Sequence, residues 1–297
     1  MNNRRINRKI KKIYKSPINN LYSNKFYTDL FYGYEYSLSK DSLNSRDFYR
    51  IKPNDINVIK LFVDFYYDFS YKFGEVIERV LYSMAIYGKS YIFIRTEYIK
   101  NVDKEGNINE IINALHIEEV KGVPKRKTFY YKNNSNEIFE INICEGTLIT
   151  FNLKDVGFKK NYFTNIVKRL SKYDTTFNSI DLINNESTYD FNVHINKNRK
   201  RVLTQAKDIG WSLDKDGFSD SYILYKEIQM KLFKIRMLKY VLNKINHVLA
   251  EEYILNKDFK IEALIKNIDY EDSWDKFQKG ELTFSKLSNI LWKWIFV

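Results

Sequence analysis

The feature that most constrains the fold is a run of apolar residues between Tyr222 and Leu255. Ile228, Leu232, Ile235, Leu238, Leu242, Ile245 and Leu249 follow one another at heptad-like steps. Steps of three and four hold these side chains on one stripe of an α-helix. At about 1.5 Å per residue, the helix predicted over 222–255 is roughly 50 Å long. Such a length is unusual inside one compact domain and points to an extended or assembled architecture.

A second narrow stripe precedes it. Phe163, Ile166, Leu170, Tyr173, Phe177 and Ile180 step by three and four, with Lys168, Arg169, Lys172 and Asp174 on the remaining faces. That pattern suits packing between long neighbouring helices. The following NNESTYDFNVHIN reads as a polar loop with a short alternating strand, Tyr189, Phe191, Val193 and Ile195. KNRKRVLTQAKDIG then reads as a helix whose polar faces carry Lys197, Arg199, Lys200, Arg201 and Lys207.

Upstream, Asn54 or Asp55 can cap a helix through Ile59, Phe62, Phe65 or Tyr66, and Phe69. A further helix is predicted along Phe73, Val76, Ile77, Val80, Leu81, Met84 and Tyr87, with Gly88 where a helix end favours a left-handed residue. KSYIFIRTEYI has the β-branched and aromatic content of a strand. ALHIEEV, KTFYYK, EIFEINI and GTLITFNL are strand-like runs separated by NNSN and EG turns. The tail reads as two short helices around Lys279 and Gly280, and residues 20–52 as irregular or short elements. The expected class is therefore α+β, mainly helical. Three prolines and ten glycines in 297 residues leave little room for a many-turned all-β fold.

Net charge is +12, but Arg4, Arg5, Arg8, Lys9, Lys11, Lys12 and Lys15 supply much of it. An N-terminal arm over 1–19 is expected, either disordered in solvent or neutralising phosphates. It has no apolar core or cleavage site of a secretory signal, and no run of about 18 apolar residues would span a bilayer. The expectation is a soluble protein made in the cytoplasm, with no membrane partner. A single cysteine, Cys144, rules out an internal disulfide and fits a small apolar strand residue.

Chemistry is sparse. The phosphate-loop, dinucleotide, nucleophile-elbow and zinc-protease signatures are all missing. His116, His194 and His247 lie far apart. Glu118 with Glu119, or Asp64 with Asp68, are acidic pairs able in principle to hold a hard cation, although such pairs are usually solvated faces. No catalytic residue, metal, cofactor or small-molecule substrate is expected. The segment with Lys197, Arg199, Lys200, Arg201 and Lys207 is the best candidate for meeting nucleic acid, through the backbone and without sequence preference. An ordinary solvated face is the competing reading.

From about Val76 onward the chain resembles the portal proteins of long-tailed double-stranded DNA phages. VIERVLYSMAIYGKSYIFIR is similar to that family's helix followed by a GNAYI-like strand, with Lys89 and Ser90 in place of Asn and Ala. ALHIEEVKGV, KTFYYKNNSNEIFEI and EGTLITFNL resemble its run of strands ending in an IIHF-type segment, here with Ile149, Thr150 and Phe151. VGFKKNYFTNIVKRL is similar to the following helix start, without the usual Ser-Pro, and FQKGELTFSKL to a late turn-and-helix.

The resemblance implies a wing over 20–158 and stem helices over 159–210, packed through the stripe from Phe163 to Ile180. They would flank a minimal clip at 184–196 with Ser187, Tyr189, Phe191, Val193 and Ile195. A tunnel-loop region at 211–221 would include Trp211, Ser212, Asp214, Lys215, Asp216 and Gly217. The long helix at 222–255 and a C-terminal wing or reduced crown at 256–297 would follow. It further implies a structural, non-enzymatic role in the virion: a twelve-subunit homo-oligomeric ring at one capsid vertex. Double-stranded DNA would pass through it, and its partners would be the large terminase, the major capsid protein and a head-tail adaptor. Two alternatives from other classes stay open: a sequence-independent nucleic-acid-binding protein such as a replication initiator, and a metal-dependent nuclease.

Overall fold

The computed structural model describes residues 6–10, 21–31, 49–53, 69–102, 108–125, 128–132, 138–142, 146–178, 191–211, 219–252, 260–265 and 270–292. In chain order the elements are α1 (residues 6–10), α2 (Leu21–Phe31), β1 (Tyr49–Pro53), α3 (Phe69–Tyr87), β2 (Lys89–Val102), β3 (Ile108–Glu119), β4 (Gly122–Lys125), β5 (Thr128–Lys132), β6 (Ile138–Asn142), β7 (Thr147–Asn152), α4 (Tyr162–Asn178), α5 (Phe191–Ala206), α6 (Asp220–Glu252), β8 (Ile261–Ile265), α7 (Tyr270–Gln278) and α8 (Phe284–Trp292). Helix outweighs sheet, in keeping with an α+β, mainly helical class. The chain forms two compact units. Unit 1 gathers Met1–Ser16, Tyr49–Lys160 and Leu238–Leu264; unit 2 gathers Pro17–Phe48, Asn161–Met237 and Ile265–Val297.

Unit 1 is organised by β2, the centre of an antiparallel β3–β2–β7 sheet. Ile92, Phe93 and Ile94 are consecutive and all buried, so this strand is covered on both faces. Ile92 pairs with Glu119, and cross-strand partners share a face. Glu119 accepts a 2.7 Å hydrogen bond from Ser83 of α3, so α3 covers the Ile92 face. Phe93 points the other way and packs with Val120 and Phe129 against the β4–β5–β6 sheet. The apolar face expected for α3 is the buried one, through Phe73, Val76, Ile77, Val80, Leu81 and Met84.

Gly88 ends α3 as expected. Its φ is 73°, its N–H bonds to the Met84 carbonyl at 2.8 Å, and β2 begins at the next residue. A Cβ there would meet the backbone oxygen of Lys160 at 2.9 Å, so glycine also allows that close approach.

Of the N-terminal arm, residues 6–10 are described. Residues 6–10 are helical, with Ile6 and Ile10 buried one turn apart and Arg8 and Lys9 exposed. Two isoleucines at i and i+4 give this basic stretch an apolar anchor.

Unit 2 is built on aromatic packing. Phe163 of α4 meets Phe31 of α2 at 5.3 Å between ring centroids, Phe233 of α6 at 6.0 Å and Phe26 of α2 at 6.2 Å. A second apolar cluster joins Leu224, Ile228 and Ile235 of α6 to Leu287 of α8, with Trp274 and Phe277 of α7 at its margin. The long helix starts where Ser219 accepts a hydrogen bond from the Tyr222 N–H at 3.4 Å, with acidic Asp220 in the first turn. It runs for 33 residues, close to the length expected from its apolar spacing. Of the helix predicted from Asn54 or Asp55 onward, Ile59, Phe62, Phe65 and Tyr66 lie outside the described residues, as does Cys144. Phe69 is the first residue of α3.

Candidate nucleic-acid interface

Helix α5 begins at Phe191, so Phe191, Val193 and Ile195 are helical, which corrects the short strand expected for a clip. Alternation favours a strand, but over so few residues the signal is weak, and the helix that runs from Lys197 to Ala206 extends backwards through it. Ser187 and Tyr189 lie outside the described residues.

The helix is strongly two-sided. Val202 and Ala206 are buried, and Ile209 in the following 3-10 turn (Lys207–Ile209) continues that face. Lys197, Lys200, Arg201, Thr204 and Lys207 are exposed, and α5 contains no acidic residue. A row of ammonium and guanidinium groups on one face provides phosphate contacts without a means of reading bases. Arg199 lies on the same helix; its side chain is outside the described set.

The direction of that face is set just beyond the helix. Gly210 has a φ of 71°, and a Cβ on it would collide with the backbone oxygen of Lys226 and the nitrogen of Met230 on α6. The chain therefore passes against α6 where only a glycine fits. Trp211 follows, 1% exposed, its ring edge-on to Phe26 at 4.8 Å and its Nε1–H donating to Asp29 Oδ2 at 3.0 Å. Among the tunnel-loop candidates Trp211 is thus a core residue that anchors the end of α5. Ser212, Asp214, Lys215, Asp216 and Gly217 lie outside the described residues.

The described part of the stripe on α4 is likewise internal. Phe163, Ile166 and Leu170 are each no more than 1% exposed, packed within unit 2. Tyr173 and Phe177 continue on α4, with side chains outside the described set, and Ile180 lies beyond it.

Glu118 and Glu119 do not converge. Glu118 is exposed while Glu119 turns to Ser83, as neighbouring strand residues point to opposite faces. Burial raises the Glu119 pKa, opposed by the Ser83 hydrogen bond and by the charges of Lys121 and Arg79. Asp64 and Asp68 lie outside the described residues, among which no group of three or more His, Cys, Asp or Glu side chains is arranged for a metal. His116 lies on β3 opposite Arg95, and His247 sits 3.4 Å from Glu251 on the exposed side of α6. No described helix is long and apolar enough to cross a membrane.

Two polar features were not visible in the sequence. In unit 1, Tyr240 and Lys244 of α6 both reach Asp155 Oδ2, at 2.7 and 3.0 Å. Lys244 also donates to the Thr150 carbonyl at 2.9 Å, and the Asn152 N–H donates to the Tyr240 hydroxyl at 3.1 Å. The hydrogen bonds from Tyr240 and Lys244 lower the Asp155 pKa; burial opposes the Lys244 charge, but Asp155 and Tyr240 outweigh it and raise its pKa. In unit 2, Lys226 is 4% exposed, and its Nζ has no hydrogen-bond acceptor among the described residues. Burial lowers its pKa, partly offset by Asp208. Lys226 lies over the Tyr222 ring, 5.5 Å from Nζ to the centroid.

No family model matches the chain, and no curated protein matches it either.

Proposed function

We propose that this chain is a structural subunit of a closed ring through which double-stranded DNA passes, a short relative of phage portal proteins. What supports the reading is the order of parts. An apolar helix ends in Gly88 and enters an antiparallel sheet, a helix pair α4–α5 follows, and a 33-residue helix comes next. The length of α6, about 50 Å at 1.5 Å per residue, suits a subunit whose helices line an assembly. Ring formation needs repeated heterologous contacts and no reactive group. In this reading the ring sits at one capsid vertex. The large terminase docks during packaging, and a head-tail adaptor docks afterwards.

The experiment is a native mass measurement with negative-stain imaging of the purified full chain. Twelve copies of a 35.8 kDa chain give a closed ring of roughly 430 kDa. A monomer or dimer at every concentration and salt tested would overturn the reading.

The exposed basic face of α5 favours a second reading, a sequence-independent nucleic-acid-binding protein. It is tested by titrating a random duplex against the chain across a salt series. Each phosphate neutralised contributes a slope of about −0.9 in log K against log salt. A monomer with a steep slope supports this second reading over the ring.

A further inference from the structure

Unit 2 carries two faces of opposite character. One is the basic face of α5, with Lys197, Lys200 and Arg201 exposed and Lys207 just beyond. The other is formed by α7 and the start of α6. Here four half-buried rings stand in a row: Tyr222 and Tyr225 with centroids 6.2 Å apart, Tyr225 and Trp274 at 5.3 Å, Trp274 and Phe277 at 5.6 Å. Neighbouring rings are inclined by only 31°, 48° and 33°, so the row forms one continuous, half-buried aromatic patch, with Trp274 and Phe277 resting on the Leu224–Leu287 cluster. Glu271, Asp272 and Asp275 are exposed on the same helix.

Aromatic faces carry negative potential and attract ammonium and guanidinium groups. The row already holds one, since Lys226 lies over the Tyr222 ring. Exposed carboxylates beside it add charge of the same sign, so this surface disfavours phosphate and suits a cationic helix.

We propose that the basic face of α5 in one copy docks on the aromatic and acidic face of α7 in a second copy. The inference rests on the ring reading and names the contact that would build it. The two faces are carried by different helices of the same unit, and a head-to-tail pairing leaves one of each open at its ends, ready for a further copy until the ring closes. It also gives the basic helix an occupant other than DNA, whose phosphates it would hold rather than let slide.

The test is charge exchange in the full chain, read by sedimentation velocity and native mass. Asp272 is left in place because it pairs with Lys276 at 2.7 Å. The double variants K200E/R201E and E271K/D275K each set like charges together and should weaken association by at least about tenfold. Combining all four substitutions should restore it, and that restoration shows that the separate variants were folded. Rings of unchanged mass in both double variants would overturn this contact and leave the ring reading standing. A wild type that stays monomeric would overturn the ring reading, and this contact with it. A wild-type dimer that the double variants break and the exchange restores would support the contact and overturn the ring. Loss of duplex binding in K200E/R201E without any change of mass would assign the α5 face to nucleic acid and overturn the proposal.

Discussion

Tyr240 donates its hydroxyl hydrogen to Asp155 Oδ2 at 2.7 Å across 85 residues of sequence. Lys244, one helical turn further along α6, reaches the same oxygen and the Thr150 carbonyl. Together they fasten the second half of α6 to the end of β7 and the 3-10 turn after it (Leu153–Val156). Tyr240→Phe keeps the ring that packs edge-on to Phe151 at 6.1 Å and removes only the hydroxyl. It should cost about 1 kcal/mol, the usual net worth of such a bond at a partly exposed site. Urea unfolding followed by far-ultraviolet circular dichroism measures this. An unchanged midpoint would mean that the packing alone holds the helix.

The same cluster makes stability depend on pH at both ends of the scale. Asp155 is held below its ordinary 3.8 by hydrogen bonds from Tyr240 and Lys244. Its contribution is therefore complete above that value and is lost as pH falls through the lower folded pKa. Lys244 is held above its ordinary 10.5, so its share is complete below that value and is lost as pH rises through the higher folded pKa. Asp155→Asn should be less stable than wild type at neutral pH, and the difference should shrink under strong acid. A constant gap across that range would contradict the assignment.

Lys226 is a 4% exposed ammonium with an aromatic ring beside it and no hydrogen-bond acceptor among the described residues, its burial only partly offset by Asp208. Lys226→Met keeps the length of the side chain and removes the buried charge. It should raise stability by about 1–2 kcal/mol near neutral pH. Since burial lowers this pKa, the penalty is full at low pH and fades as pH rises toward the ordinary 10.5. The advantage of the variant should fade with it. Equal stabilities at pH 7 would show that the Tyr222 ring compensates the charge fully.

Leu170 is 0% exposed in unit 2. Leu170→Asp therefore buries a carboxylate among aliphatic and aromatic side chains and should destabilise by at least about 3 kcal/mol. Loss of helical signal and of near-ultraviolet aromatic signal would show it. Intact folding with failed assembly would instead place the α4 stripe between subunits.

Elements with strong local periodicity were legible in the sequence. The seven apolar positions of α6, the stripe that ends at Gly88 and the strand Lys89–Val102 announce themselves within one window. β4 was not legible, because Gly122 and Pro124 are poor strand formers. Among the described strands it is an edge strand paired with β5, a position that tolerates a proline. β8 was hidden for another reason: its partner β1 lies far away in sequence, and five residues carry no signal of their own. Helix α2 was lost among aromatic and polar residues, although Phe26 with Leu30 and Tyr27 with Phe31 mark one buried face. For the candidate interface, the cations of α5 were legible as a basic run, and their common face followed from helical spacing. The aromatic row and the Asp155 cluster join segments from distant parts of the chain, and no local pattern reports such contacts.

Each unit is assembled from three separate stretches of chain, and the pairing of β1 with β8 draws residues near 260 into unit 1. On the ribosome, therefore, the first 160 residues cannot complete unit 1, and unit 2 still needs α7 and α8 when β8 has emerged. Native closure of both waits for nearly the whole polypeptide, so a chain that stops early releases exposed strand edges and aromatic surface instead of one finished half.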